Sequence, residues 1–154
     1  MAHRAGVSLE AELGFVGYAA GAQSQGTDPV EAAVFAQKSG ADALAVSVGN
    51  VHLMQQAGAA VDWARLQAVE ACGLPLVIHG GSGICTEDRL RMVAGTVSKI
   101  NIGTELRQAF GSALRGVLAA DLAVFDRLAI LNGCAPALEA AGRAAILSCG
   151  WKAV

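Results

Sequence analysis

Two histidines and two glycine-containing turns carry the chemistry that this 154-residue chain could perform. His52 lies three residues beyond Gly49, past the end of one short apolar segment, and His79 ends another, with Gly80-Gly81-Ser82-Gly83 directly behind it. Imidazole is a good zinc ligand, and two such rings at neighbouring strand ends can converge on one ion. On spacing alone they are equally two hydrogen-bonded or solvent-facing histidines. The Gly80-Gly81-Ser82-Gly83 turn stands between a strand pattern and a helix pattern, where backbone N–H groups approach an anion closely. Ser82 adds a hydroxyl donor, and the helix start favours negative charge. Asn101-Ile102-Gly103-Thr104 ends the next apolar segment in the same way. One such turn is as readily a tight connection, but two adjacent ones point to a bound phosphate.

The elements that must position these groups follow one grammar, repeated four times: a short apolar segment, a Gly-containing loop, then an amphipathic stretch of helical length. The apolar segments are Val7 to Leu13, Ala41 to Gly49, Leu74 to His79 and Val97 to Ile102. The first helix opens at Thr27-Asp28-Pro29, where Asp28 or Thr27 can cap and Pro29 suits the first turn. Further helices are predicted from Asp62 to Cys72, from Thr86 to Ala94 and from about Glu105 onward. The remainder, from about Leu122 to Cys149, reads as helical turns broken at Asn132-Gly133 and at Pro136. Strands alternating with helices at this spacing mean βα units and a parallel sheet.

Side-chain alternation defines the kind of sheet. In the second segment Leu44, Val46 and Val48 share one face, opposite Ala43, Ala45, Ser47 and Gly49. In the first, Ser8, Glu10 and Glu12 oppose Val7, Leu9, Ala11 and Leu13; in the fourth, Lys99 and Asn101 oppose Ile100 and Ile102. One bulky apolar face and one small or polar face fit a (β/α)8 barrel, where helices cover one side and the barrel interior the other. A buried Lys99 needs a carboxylate, and Glu10 or Glu12 is the expected partner. A complete barrel has eight such units over about 250 residues. The four here are therefore expected to form half of a (β/α)8 TIM barrel followed by a helical C-terminal segment. Residues 1–154 then form a single partial-barrel domain, with the other half of the barrel absent.

Composition narrows the function classes. Eleven Lys and Arg against 13 Asp and Glu give a net charge of −2 without charge runs, which excludes an electrostatic footprint for nucleic acid or an anionic membrane. Mean hydropathy is +0.47. The uncharged interval from Ala43 to Val61 nevertheless contains Ser47, Asn50, His52, Gln55 and Gln56, too polar for a bilayer span. No signal peptide is expected. Cys72, Cys85, Cys134 and Cys149 are widely spaced, as expected of reduced cysteines in a cytoplasmic protein.

Several segments together resemble the class II, zinc-dependent fructose-bisphosphate and tagatose-bisphosphate aldolases. They are Glu10-Ala11-Glu12-Leu13-Gly14, Thr27-Asp28-Pro29, Gly40 to Val46 leading to Gly49-Asn50-Val51-His52, Pro75 to Gly83, and Lys99 to Arg107. The resemblance implies that His52 and His79 are two of three zinc ligands. It also implies that Gly80, Gly81, Ser82, Asn101, Ile102, Gly103 and Thr104 hold the phosphate of dihydroxyacetone phosphate. The implied reaction is reversible aldol cleavage of fructose- or tagatose-1,6-bisphosphate, with zinc stabilising an enediolate. The family's third ligand and its acid/base aspartate come from an H-x-D-H motif in the first half of the barrel, which this sequence lacks, so the resemblance implies that the chain is the C-terminal half of the (β/α)8 barrel, with the first half absent. Leu53 replaces a glycine common in the family, and the loop from Phe15 to Gly26 is short and lacks acidic residues. The isolated chain is accordingly expected to be inactive, with a complementary N-terminal half, or another copy in a homo-oligomer, as its partner. The alternatives are a non-catalytic half-barrel that binds sugar phosphate and, with less support, a Schiff-base aldolase using Lys99.

Overall fold

The computed structural model describes residues 1–152. A short 3-10 turn at His3–Ala5 precedes four strand–helix units: β1 (Glu10–Leu13) and α1 (Pro29–Ser39), β2 (Ala43–Val46) and α2 (Trp63–Val69), β3 (Leu76–Ile78) and α3 (Thr86–Val93), β4 (Val97–Ile100) and α4 (Thr104–Ala120). A final helix, α5 (Arg127–Ser148), follows. The strands form one parallel sheet in the order β1-β2-β3-β4, as successive right-handed βα units require. This is the partial barrel expected from the alternation of elements.

β1 and β2 are shorter than their apolar segments because side chains join the ladder at one end of each. Before β1, the Leu9 N–H donates to the Asp42 carboxylate at 2.7 Å and the Leu9 carbonyl accepts from the Asp42 N–H at 2.8 Å. After β2, the Ser47 N–H donates to Thr27 Oγ1 at 2.8 Å, and the Thr27 hydroxyl donates on to the Leu13 carbonyl. Thr27 is thus a fully buried tie between β1 and β2 rather than a helix cap. Asp28 caps α1, accepting from the N–H groups of Val30 and Glu31.

The bulky face of the sheet meets the helices as the alternation predicts. Leu44, Val46, Val48, Leu76 and Ile78 are fully buried there with Ala32, Val69 and Met92. A bulge keeps Val97 in this core even though Val97 and Lys99 have the same parity. Leu76 pairs with Val97 but Val77 pairs with Lys99, so Ser98 is the extra residue and the strand turns over within it. Lys99 consequently lies on the concave face. It is not buried as expected: its side chain is 52% exposed, because the four-stranded face is open.

The largest departure is α5. The predicted breaks at Asn132-Gly133 and Pro136 do not occur, and one helix runs through all three residues. Packing overrides local propensity here. A Cβ at Gly133 would stand 2.8 Å from Val117 Cγ2, so the missing side chain lets α5 lie close against α4. The pair forms an antiparallel hairpin that returns the C-terminal end of α5 to the start of α4.

Candidate functional site

The two histidines stand beyond the C-terminal ends of β2 and β3 and meet there. Their ring centroids are 5.8 Å apart, edge to face. His52 is held by backbone and ring together: its N–H donates to the Gly17 carbonyl at 2.7 Å, its carbonyl accepts from Ala19, and its ring stacks on Tyr18 at 5.1 Å. Burial, and secondarily the nearby His79, push the His52 pKa below the ordinary histidine value, which favours the neutral ring that a metal binds. His79 Nε2 lies 3.4 Å from Glu10 Oε1, and the other oxygen of Glu10 pairs with Lys99 Nζ at 2.7 Å.

Asn50 sets the spacing between the two histidine loops. Its side chain is fully buried; Oδ1 accepts from the Val48 N–H at 2.7 Å and Nδ2 donates to the His79 carbonyl at 2.9 Å. Gly80 makes the approach feasible. It adopts φ +66°, and a Cβ there would stand 2.5 Å from the Val51 carbonyl oxygen.

The two donor-rich turns lie side by side and are stitched together. The Gly81 N–H donates to the Asn101 carbonyl at 2.9 Å, and Ser82 Oγ accepts from the N–H groups of Thr104 at 3.0 Å and Glu105 at 3.3 Å. A cleft of about 470 Å³ opens over them. Gly80, Ser82, Asn101, Ile102, Gly103 and Thr104 line it, together with His52 and Leu53. Gly81 does not line the cleft, and its N–H is already engaged with Asn101. Its lack of a side chain is what matters, since a Cβ would stand 2.5 Å from Ile100 Cγ2. His79 also stands outside the cleft wall, joined to it through His52.

Leu53, Ile100 and Arg107 line this cleft outside the set expected from sequence, and of these Arg107 alone is charged. Arg107 lines it from the first turn of α4. A cation at a helix N-terminus opposes the helix dipole, and that mismatch was the available signal. An anion in the cleft removes the conflict, because the guanidinium and the helix start then face the same negative charge.

The separation of the two histidine rings allows a shared zinc ion. An ion bound at about 2.1 Å by two imidazole nitrogens sets the ring centroids roughly 5–6 Å apart, and these are 5.8 Å apart. Among the described residues no group of three or more His, Cys, Asp or Glu side chains could hold a metal. Nor is any helix among the described residues long and apolar enough to cross a membrane.

The fold and the site define a partial (β/α)8 barrel with a donor-lined cleft and a histidine pair at the C-terminal ends of its strands. Residues 1–151 match the class-II fructose-bisphosphate aldolase family, and the chain belongs to that family. Among solved structures it is similar to the YdjI aldolase from Escherichia coli K12, with 31% identity and a TM-score of 0.71 over 96% of this chain and 50% of that one. It shares its fold with the fructose-bisphosphate aldolase from Campylobacter jejuni, at 22% identity and a TM-score of 0.71 over 97% of this chain and 52% of that one. The chain spans about half the length of these structures.

Proposed function

We propose that residues 1–154 form one part-barrel domain contributing the metal- and phosphate-binding half of a class II ketose-bisphosphate aldolase in the cytoplasm. The reaction is the reversible cleavage of fructose- or tagatose-1,6-bisphosphate to dihydroxyacetone phosphate and glyceraldehyde 3-phosphate. The observation that carries this reading is the junction of two sites: His52 lines the anion cleft and also faces His79 at 5.8 Å.

In this reading His52 and His79 hold zinc, which when bound supplies Lewis-acid polarisation of the ketose oxygens. Gly80, Ser82, Asn101, Ile102, Gly103 and Thr104 hold the phosphate of the substrate, Gly81 provides the close approach of the two turns, and Arg107 supplies a full positive charge. Anchoring the phosphate converts binding energy into orientation of the reacting carbon toward His52. Glu10 accepts from His79 and from Lys99, and that pairing engages the lysine's amine, which counts against a Schiff base there.

The third ligand and the acid/base group come from a complementary half-barrel, which pairs with the outer edges of β1 and β4. Without it the chain binds but does not turn over. Two observations favour a second reading, a half-barrel that binds sugar phosphate and never catalyses: no third metal-ligating side chain joins the pair among the described residues, and both outer strands carry an open edge.

Zinc titration by calorimetry tests the first reading. One equivalent is expected to bind the wild-type chain near neutral pH and to be lost in His52→Ala and His79→Ala; no binding by the wild type rejects the metal site. Adding a first-half barrel fragment from an aldolase of this family is expected to produce cleavage of one of the two bisphosphates. Zinc and phosphate binding without cleavage in that mixture selects the second reading.

A further inference from the structure

We infer that Arg89 is a positioning residue for the anion cleft, a buried brace that fixes the two donor turns relative to each other and to the end of α5. The inference rests on the phosphate reading above only for its effect on binding; the brace itself is a matter of geometry. Arg89 belongs to α3, is 4% exposed, and lines no part of the cleft. A buried guanidinium needs partners for its donors, and each of its three comes from a different element. Nε donates to the Gly81 carbonyl at 3.1 Å in the first turn. Nη2 pairs with the Glu105 carboxylate in the opening of α4, which continues the second turn. Nη1 donates to Ser148 Oγ at 2.8 Å, and Ser148 in turn donates to the Ala145 carbonyl.

The planar fork holds these three partners at fixed mutual angles, which a lysine cannot do. Its first two arms span the seam where Ser82 Oγ meets the Thr104 and Glu105 N–H groups. The third makes the separation of the turns depend on the seating of the C-terminal end of α5. Affinity for an anion is therefore set partly by a helix that does not touch it.

The test uses the whole 154-residue chain with inorganic phosphate, comparing wild type, Arg89→Met, Arg89→Lys and Ser148→Ala. Two quantities are read by NMR: amide hydrogen exchange residue by residue, and the phosphate dissociation constant. Arg89→Met is expected to speed exchange at Thr104 and Glu105 by about tenfold or more while Val46 and Ile78 in the sheet change by less than about twofold. It is expected to weaken phosphate binding about tenfold, with Arg89→Lys and Ser148→Ala intermediate. A purely structural residue would accelerate all core amides together, and that pattern overturns the inference. So does phosphate binding that stays unchanged in Arg89→Met. If the wild-type chain binds no phosphate, the phosphate reading fails, and the exchange pattern alone decides the brace. Should Arg89→Met not fold, Arg89→Lys and Ser148→Ala are judged by the same two readings, and unchanged values in both overturn it.

Discussion

Glu10 and Lys99 meet at 2.7 Å although they stand on the two outermost strands of the sheet. The sheet curls enough for a glutamate on β1 to reach a lysine on β4 across the concave face. The side chains are 31% and 52% exposed, so water screens the pair. A double-mutant cycle with Glu10→Gln and Lys99→Met in urea denaturation is expected to give a coupling of about 0.2–1 kcal/mol that shrinks with added salt. A coupling near 3 kcal/mol or above would mean that the concave face is covered in solution.

Leu53 is the one non-glycine residue among those described with positive φ, at 59°. The left-handed conformation costs a side-chain-bearing residue roughly 1–2 kcal/mol, and the extra unfolded-state freedom of glycine offsets roughly 0.5–1 of that. Leu53→Gly is therefore expected to stabilise the chain by about 0.5–1 kcal/mol. Leu53→Ala, which keeps the strain and removes only a half-exposed side chain, is expected to stay within about 0.5 kcal/mol. Equal effects in chemical denaturation would refute the strain.

Two helical glycines make opposite predictions. Around Gly116 nothing lies within 4 Å of where a Cβ would stand, so Gly116→Ala is expected to add about 0.5–1 kcal/mol through helix propensity alone. A Cβ at Gly133 would stand only 2.8 Å from Val117 Cγ2, and Gly133→Leu is expected to cost about 1–3 kcal/mol as α5 is forced off α4. Melting temperatures that move in the same direction for both would contradict the close packing of the hairpin.

Asp42 gives the fold an acid dependence. Its carboxylate accepts from the Leu9 N–H and, secondarily, pairs with His3, and these hold its pKa below the ordinary 3.8. A carboxylate with a depressed folded-state pKa contributes stability that is present above the unfolded value and is lost as pH falls through the folded one. The difference in melting temperature between wild type and Asp42→Asn is expected to be full at neutral pH and to shrink below about pH 4. A constant difference down to pH 2 would assign the effect to something other than this charge.

What was legible in the sequence and what was not divides along physical lines. The alternation of Leu44, Val46 and Val48 against smaller neighbours is written in period two, and it identified the core face of β2 correctly. The Asp28-Pro29 cap is a local signal and was equally plain. A carboxylate partner for Lys99, Glu10 or Glu12, followed from charge and alternation, and the structure selects Glu10; the exposure of Lys99 depends on how much of the barrel surrounds it, which no local pattern encodes. The Ser98 bulge was hidden because it changes parity within a single strand. The unbroken α5 was misread because Gly133 and Pro136 are breakers only until a neighbouring helix supplies the packing. At the site, the two histidines and the glycine turns were visible as motifs. Asn50 and Arg89 were not, since each acts through partners distant in sequence.

The hydroxyl of Ser82 has both of its lone pairs directed at the amides of Thr104 and Glu105. It can still give a proton but is poorly placed to take one. An oxyanion seated against it is thus asked to arrive already stripped of its own hydrogen at that oxygen. In the proposed phosphate reading Ser82 would therefore act on the ligand as a donor alone, meeting one of its unprotonated oxygens.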